Sequence, residues 1–477
     1  MLLVTPYDKF SPVIRDVINH PCPISTLPVE LLQEIFAFSM TAKPKPRIVA
    51  GVSLDEREPP VFQVTALILT WVCSKWRQIA SSMPELWGTM TIYKPKKYCV
   101  ELSRIYLSRS GNIAPLNLDL RQDVRLDLRT YPDPHCCPEH NATVDILKLW
   151  VPQAHRWRNI HLDLTYTPPL HELPKISPDA LSGVQEAHLR FSETPQHSET
   201  VINWLWENIF RSPALRTAYW HDLVYGLPPA PFSELFEFRL FAPTADELLS
   251  VLPSCQRLKR LHVRILSKSD QPRTPSGPIV VLPSLEYFQL DFGEHSRCIL
   301  DHISAPVLRE LAISDSRQMP FSEARSLQRF LERSCCVLRA LHLTQRWDYS
   351  EEYVIQYLMH ASKYLAGLDV LSVECGLLSG RVVSLFVPQM IGDTISVPFP
   401  SLIDLKLCTA VTRDGVISSM VESRSVAGAP LWRFVCRVKY GPLNSTGYPK
   451  DDASFARLRE EGLQLFWSSQ DGPGNRL

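Results

Sequence analysis

The chain has 477 residues, 45% apolar and 21% charged, with 50 basic side chains against 50 acidic ones. At roughly 150 residues per domain it holds about three domains' worth of chain, too apolar for disorder and too balanced in charge for a dedicated nucleic-acid binder. Its 12 cysteines have no repeated spacing and several lie inside apolar runs, which fits buried thiols in a reducing compartment rather than a disulfide framework.

Forty prolines stand against 18 glycines, where usage averages give about 24 and 33, so many stiff connections separate the elements. Residues 1–21 read as an N-terminal tail that lacks the basic flank and apolar core of a secretory signal. The longest apolar stretch, Val64 to Cys73, is too short to cross a bilayer core of about 30 Å. The expectation is a cytoplasmic or nuclear protein, or both, with no membrane and no nucleic acid among its partners.

The first element follows Leu27-Pro28-Val-Glu30. Proline is tolerated in a first helical turn, and Glu30 complements the positive end of the helix dipole. Leu31, Leu32, Ile35 and Phe36 then give a broad apolar stripe that a lone helix cannot bury. Residues 41–63, with Lys43-Pro-Lys-Pro-Arg47 and Asp55-Glu-Arg-Glu-Pro-Pro60, read as a polar loop. From Ala66 the pattern resumes: Leu69, Val72, Cys73, Trp76, Ile79 and Ala80 share one face, predicting a single second amphipathic helix. Met83-Pro-Glu-Leu86-Trp87 stops it, and Met90-Thr-Ile92 predicts a short strand.

In this order, Leu27-Pro28-x-Glu30-Leu31-Leu32-x-x-Ile35-Phe36, Val72-Cys73-x-x-Trp76-Arg77-x-Ile79-Ala80 and Pro84-x-Leu86-Trp87, the segment from Cys22 to Trp87 resembles the F-box in its fungal form. The loop between its halves is longer than in many F-boxes. The resemblance implies a helical module that docks the Skp-type adaptor, and through it a cullin, in an SCF ubiquitin ligase. It assigns Leu27, Pro28, Leu31, Leu32, Ile35, Phe36, Val72, Cys73 and Trp76 to adaptor contacts or to the packing beneath them. A module with more apolar surface than its own helices can cover needs a partner groove; packing against the rest of the chain is the bland alternative.

Residues 93–150 read as a linker with the first irregular strands. Beyond them a triad of apolar residues at i, i+3 and i+5 recurs: Val184/Ala187/Leu189, Leu215/Ala218/Trp220, Leu235/Phe238/Leu240, Leu258/Leu261/Val263, Leu285/Phe288/Leu290, Leu308/Leu311/Ile313, Leu338/Leu341/Leu343, Leu368/Leu371/Val373 and Leu402/Leu405/Leu407, with Trp157/Ile160/Leu162 as an earlier member. The last two positions of each triad share one face of a short strand, and turns such as Leu282-Pro-Ser-Leu285 introduce it. Thr244 to Leu252, Phe321 to Glu332 and Glu352 to Leu365 have helical periodicity. The spacing, mostly within the range of about 20–29 residues, resembles leucine-rich repeats, although the Asn or Cys usual after the strand is not regularly present.

The fold class expected is therefore α/β: an N-terminal helical F-box over 22–92, then an irregular leucine-rich-repeat solenoid over 151–410 with parallel strands on the concave face and helices outside. Residues 411–477 read as a C-terminal cap and tail, in which Trp432, Phe434, Cys436, Val438 and Tyr440 alternate as a strand and Phe455 to Phe466 form an amphipathic helix. A doubly wound α/β domain is the alternative.

No phosphate-binding loop, zinc-helix motif or nucleophile elbow occurs in the sequence. His135-Cys136-Cys137-Pro-Glu-His140 gathers metal-ligand types, but adjacent cysteines are awkward tetrahedral ligands; no cofactor or metal is expected. Cys99 lacks a local activating partner and reads as a structural thiol. On the outward strand positions, Arg239, Arg260, His262, Arg264 and Tyr287 form a basic, aromatic-flanked patch suited to an acidic or phosphorylated protein substrate of unknown identity, or, more blandly, a solvated face with ion pairs to Glu237 and Asp291. The expectation is a non-enzymatic substrate adaptor for ubiquitin-dependent degradation. A binding scaffold without a ligase role is the alternative, and a hidden hydrolase or metalloenzyme the third class.

Overall fold

The structure, a computed structural model, describes residues 23–41, 61–62, 65–122, 138–164, 168–191, 204–205, 207–221, 227, 230–242, 244–265, 278–292, 296–315, 322–345, 351–439 and 447–470. The chain divides into two compact units, residues 1–183 with 192–201, and residues 184–191 with 202–477. Among the described residues, no helix is long and apolar enough to cross a membrane.

The first unit opens with the helices α1 (Val29–Thr41), α2 (Thr65–Val72) and α3 (Ser74–Ser81), with a short strand between the first two. The apolar spacing predicts α2 and α3 as one helix, and the structure breaks it at Cys73. Cys73 is extended (φ −158°, ψ 173°) and caps α3, its Sγ accepting from the Trp76 amide at 3.4 Å. Arg77 Nε donates to the Thr70 carbonyl at 2.9 Å, so a carbonyl at the end of α2 keeps a partner across the break. Neither Gly nor Pro marks this restart.

The short strand between α1 and α2 is β1 (Val61–Phe62); β2 (Thr89–Tyr93), β3 (Leu116–Arg121) and β4 (Trp157–Leu164) follow the helices, β1 antiparallel to β2 and the others parallel in chain order. Helices α4 (Lys97–Arg109) and α5 (Pro138–Trp150) occupy the connections. The segment 93–150, read as a linker with the first irregular strands, thus carries one fully paired strand and two helices that the reading did not include. Met90, Leu118 and Ile160 are in register, as are Ile92, Leu120 and Leu162, and all six are buried.

The second unit repeats the parallel arrangement. Its strands are β5 (Glu186–Phe191), β6 (Thr217–His221), β7 (Glu237–Ala242), β8 (Arg260–Ile265), β9 (Val280–Val281), β10 (Tyr287–Phe292), β11 (Ile303–Ser304), β12 (Glu310–Asp315), β13 (Ala340–Gln345) and β14 (Val370–Ser379). They continue with β15 (Gln389–Ile391), β16 (Thr394–Ser396), β17 (Asp404–Val411), β18 (Arg433–Lys439) and β19 (Gln464–Gln470). The sheet order is β5-β6-β7-β8-β10-β12-β13-β14-β17-β18-β19, each strand beside its successor, while β9 pairs with β11 and β15 with β16.

The repeated triad explains this order. Ala187, Ala218, Phe238, Leu261, Phe288, Leu311, Leu341, Leu371, Leu405 and Phe434 are aligned across successive strands and all are buried. The leading leucine of several triads closes a turn before its strand: Leu215 N bonds Ser212 O at 3.1 Å, Leu308 N bonds Ala305 O at 3.2 Å and Leu402 N bonds Phe399 O at 3.1 Å. Pro213, Pro306 and Pro400 occupy the second turn position, where a φ near −65° is already correct.

Between strands lie α6 (Ala245–Val251), α7 (Ser296–His302), α8 (Ser322–Ser334), α9 (Glu352–Ala361), α10 (Gly380–Ser384), α11 (Val416–Val426) and α12 (Pro449–Glu460). The predicted C-terminal helix from Phe455 to Phe466 is corrected. The helix ends at Glu460, and Gly462, with φ 103°, forms a Schellman turn in which Leu463 N reaches Leu458 O at 3.0 Å. Phe466 belongs to β19, which pairs in parallel with β18 and so extends the sheet. Trp432 is exposed just before β18, and Tyr440 lies outside the described residues.

Candidate functional site: an apolar helical face and a polar strand patch

On the first unit, α1 divides its apolar residues between two sides. Leu32 and Phe36 are fully buried, and Phe36 meets the Trp76 ring edge-on at 4.8 Å. Leu31 and Ile35 point out, 45% and 44% exposed, beside Phe38 at 74%, and α2 adds Trp71 at 68%. Val29, Ile68 and Val72 are exposed as well. Pro28 and Cys73 are also at the surface, whereas Leu27 and Trp76 are half-buried. Lys75 Nζ donates to the Leu27 carbonyl at 3.0 Å, tying the start of α1 to α3.

Of the nine residues the sequence selects, Leu32, Phe36 and Trp76 therefore form the floor, and Leu31, Ile35, Pro28, Val72 and Cys73 face solvent. Sequence reasoning missed Phe38, Ile68 and Trp71. Helical spacing could have found them: Phe38 lies three residues beyond Ile35, and Ile68, Trp71 and Val72 recur at i, i+3 and i+4.

On the second unit, the register brings the predicted patch together. Glu237 aligns with Arg260 and Tyr287, Arg239 with His262 and Gln289, and Arg264 with Asp291. The outcome favours ion pairing within the face. Arg239 Nε donates to Glu237 Oε1 at 2.8 Å, and Arg260 lies 3.8 Å from the other oxygen of the same carboxylate while its guanidinium stacks over the Tyr287 ring at 4.6 Å.

His262 is largely buried beneath them. Gln289 Nε2 donates to Asp291 Oδ1 at 3.2 Å, which turns Gln289 Oε1 toward Tyr287 OH, donating at 2.9 Å, and toward His262 Nδ1 at 2.8 Å. That oxygen only accepts, so Nδ1 carries the imidazole proton. Burial, with Arg239 and Arg260 adding to it against the Gln289 bond, lowers the His262 pKa to about 3. Glu237 lies 3.9 Å from Nε2, too far for a hydrogen bond, and the ring is neutral at pH 7.

The metal-like segment His135 to Cys137 lies outside the described residues, and His140 is buried. Among the described residues, no group of three His, Cys, Asp or Glu side chains is placed to hold a metal. Cys99 is fully buried and burial pushes its thiol pKa up, the opposite of an activated nucleophile. Its Sγ accepts from the Lys96 amide at 3.4 Å and helps begin α4.

No protein-family model matches the chain, and no curated protein matches it. The two surfaces themselves carry the functional argument.

Proposed function

We propose that the protein is the non-catalytic substrate-recognition subunit of an SCF-type ubiquitin ligase, its F-box docking a Skp-type adaptor and its strand surface holding a protein substrate. The observation that carries this reading is the exposure of large apolar side chains on α1 and α2, Leu31 and Ile35 on the first and Trp71 on the second, while Leu32 and Phe36 are buried, on the segment whose motif order resembles an F-box. An apolar helical face of this kind gains most from a complementary groove on another chain. The parallel strands in chain order, several of them introduced by a leucine-closed turn, support a leucine-rich-repeat-like solenoid in the second unit.

The test is copurification of the full chain with a Skp-type adaptor and a cullin. Leu31→Asp with Ile35→Asp should lower adaptor affinity at least about 100-fold, since burying an unpaired charge costs several kcal/mol, with thermal stability nearly unchanged because both side chains are at the surface. Replacing Leu27 and Pro28 by Ala should weaken binding less, Leu27 being half-buried. Undiminished adaptor affinity in the folded Leu31/Ile35 double variant would remove this face from the interface.

A further inference from the structure

Between β14 and β17 the chain makes an excursion. After α10 it forms the hairpin β15–β16, in which Met390 pairs with Ile395 and Ile391 with Thr394. Gly392 opens the two-residue loop at φ 62°, the left-handed first position that such a tight hairpin takes without strain in glycine. Every residue from Gln389 to Ser396 is exposed, Met390 at 68%. A two-stranded hairpin with no apolar face buried is marginal in water, so its order has to come from its base.

The base is closed by one side chain. Arg424, in α11 and fully buried, donates from Nη1 to Phe386 O at 3.3 Å and to Pro398 O at 2.7 Å, and from Nη2 to Phe399 O at 2.9 Å. Phe386 and Phe399 flank the excursion on its two sides, and their rings pack at 5.7 Å. A single guanidinium thus joins both ends of the segment 387–398 and, with the Phe386–Phe399 ring contact, lowers the loop-closure entropy that opposes the hairpin. The strands on either side need no such help, since β14 and β17 pair directly from Val370 and Asp404 onward.

We propose that Arg424 is a clip that sets the state of the 387–398 excursion. Held by the guanidinium, the hairpin is a pre-formed arm with Met390, Ile391 and Ile395 presented to solvent. With the clip released, the arm opens while the sheet beneath it stays intact. Lysine is a poor replacement, because one nitrogen must serve carbonyls that two now reach.

Hydrogen exchange followed by mass spectrometry on the full chain tests this. In the parent, the peptide covering 387–398 should exchange slower than an unstructured reference. In Arg424→Met it should exchange at least about ten-fold faster, as loss of charged hydrogen bonds implies, while peptides covering β13 and β18 keep their parent rates; Arg424→Lys should fall between. Parent exchange at the unstructured rate overturns the clip, and so does equal exchange of this peptide in parent and Arg424→Lys. Uniform acceleration across β13, β18 and the hairpin overturns it too, by making Arg424 a general support of the unit. If Arg424→Met does not fold, the parent and Arg424→Lys measurements decide between these outcomes.

Discussion

His262 is held neutral by its surroundings, and the neutrality has a consequence for stability. Its folded pKa is near 3 against an ordinary 6.5, so between those values the unfolded chain binds a proton that the folded chain does not. The contribution is fully present above pH 6.5 and is lost as pH falls toward 3. The parent should therefore lose stability on acidification with a component approaching one proton, about 1.4 kcal/mol per pH unit. His262→Gln should lack that component. Urea midpoints from pH 7 to pH 4.5 measure it, and parallel curves for parent and variant would show that His262 is not the group responsible. The same network would limit the proposed binding role of the patch. With Arg239 engaged by Glu237, an acidic substrate segment competes with an existing carboxylate, and Glu237→Gln should increase retention of the protein on an anionic column; equal retention would mean that Glu237 does not restrain the arginines.

Between the elements, several turns that join helix and strand are held by arginine, in repeats where the sequence lacks a regular Asn or Cys after the strand. Arg156 donates to Ala114 O at 2.8 Å and Ser110 O at 3.3 Å, and Arg333 to Leu300 O at 2.5 Å and Ile303 O at 2.7 Å. Arg424 also reaches back to carbonyls before β17, and there they belong to the two ends of the 387–398 excursion. In each case an arginine from the helical segment after a strand reaches back to carbonyls before that strand, and burial lowers each pKa. Arg333→Met should cost about 2–4 kcal/mol by leaving these carbonyls without their charged donor, measured by urea unfolding; a loss under about 0.5 kcal/mol would mean the staple is replaceable by water. The helices α11 and α12 are coupled differently. Asp451, fully buried, accepts from Gly415 N at 3.0 Å and Ser418 N at 2.8 Å at the start of α11, and Asp414 accepts from Lys450 N at 2.9 Å and Asp451 N at 3.1 Å at the start of α12. Each aspartate caps the helix beside the other. Asp414→Ala and Asp451→Ala should each cost about 1–2 kcal/mol, with a coupling of at least about 0.5 kcal/mol in a double-mutant cycle; strict additivity would mean two independent caps.

Across the whole molecule, what was legible in the sequence is what burial repeats. Strands β5 to β8, β10, β12 to β14 and β17 were readable because each carries two core residues on one face behind a leucine or, before β5, Val184, often with a proline turn; the short strands β9 and β11 carry no such triad. The helix at Ala245 was readable from its periodicity, and Thr244 caps it, accepting from Glu247 N at 3.2 Å. The break at Cys73 was not readable, since a sulfur cap replaced the usual Gly or Pro. Strand β3 was legible only as one of the irregular strands of 93–150, since Leu116, Leu118 and Leu120 alternate after Pro115 without the spacing of the later triads, and β19 was hidden in a run whose apolar spacing also suits a helix. The arginine staples were invisible because a lone arginine reads as surface. On the helical face, the stripe was legible but its division into floor and exposed rim was not. The repeating register also predicts how the second unit fails. Each main-sheet strand is bonded only to its neighbours in the order β5 to β19, so damage should stay local. Phe288, fully buried in β10 and packed on Phe330 at 6.2 Å, is a central test. Phe288→Ala should cost about 3–5 kcal/mol and raise hydrogen exchange in β8, β10 and β12, while β18 and β19 keep most of their protection. Equal loss of protection from β5 to β19 would instead mean that the unit unfolds as one cooperative block.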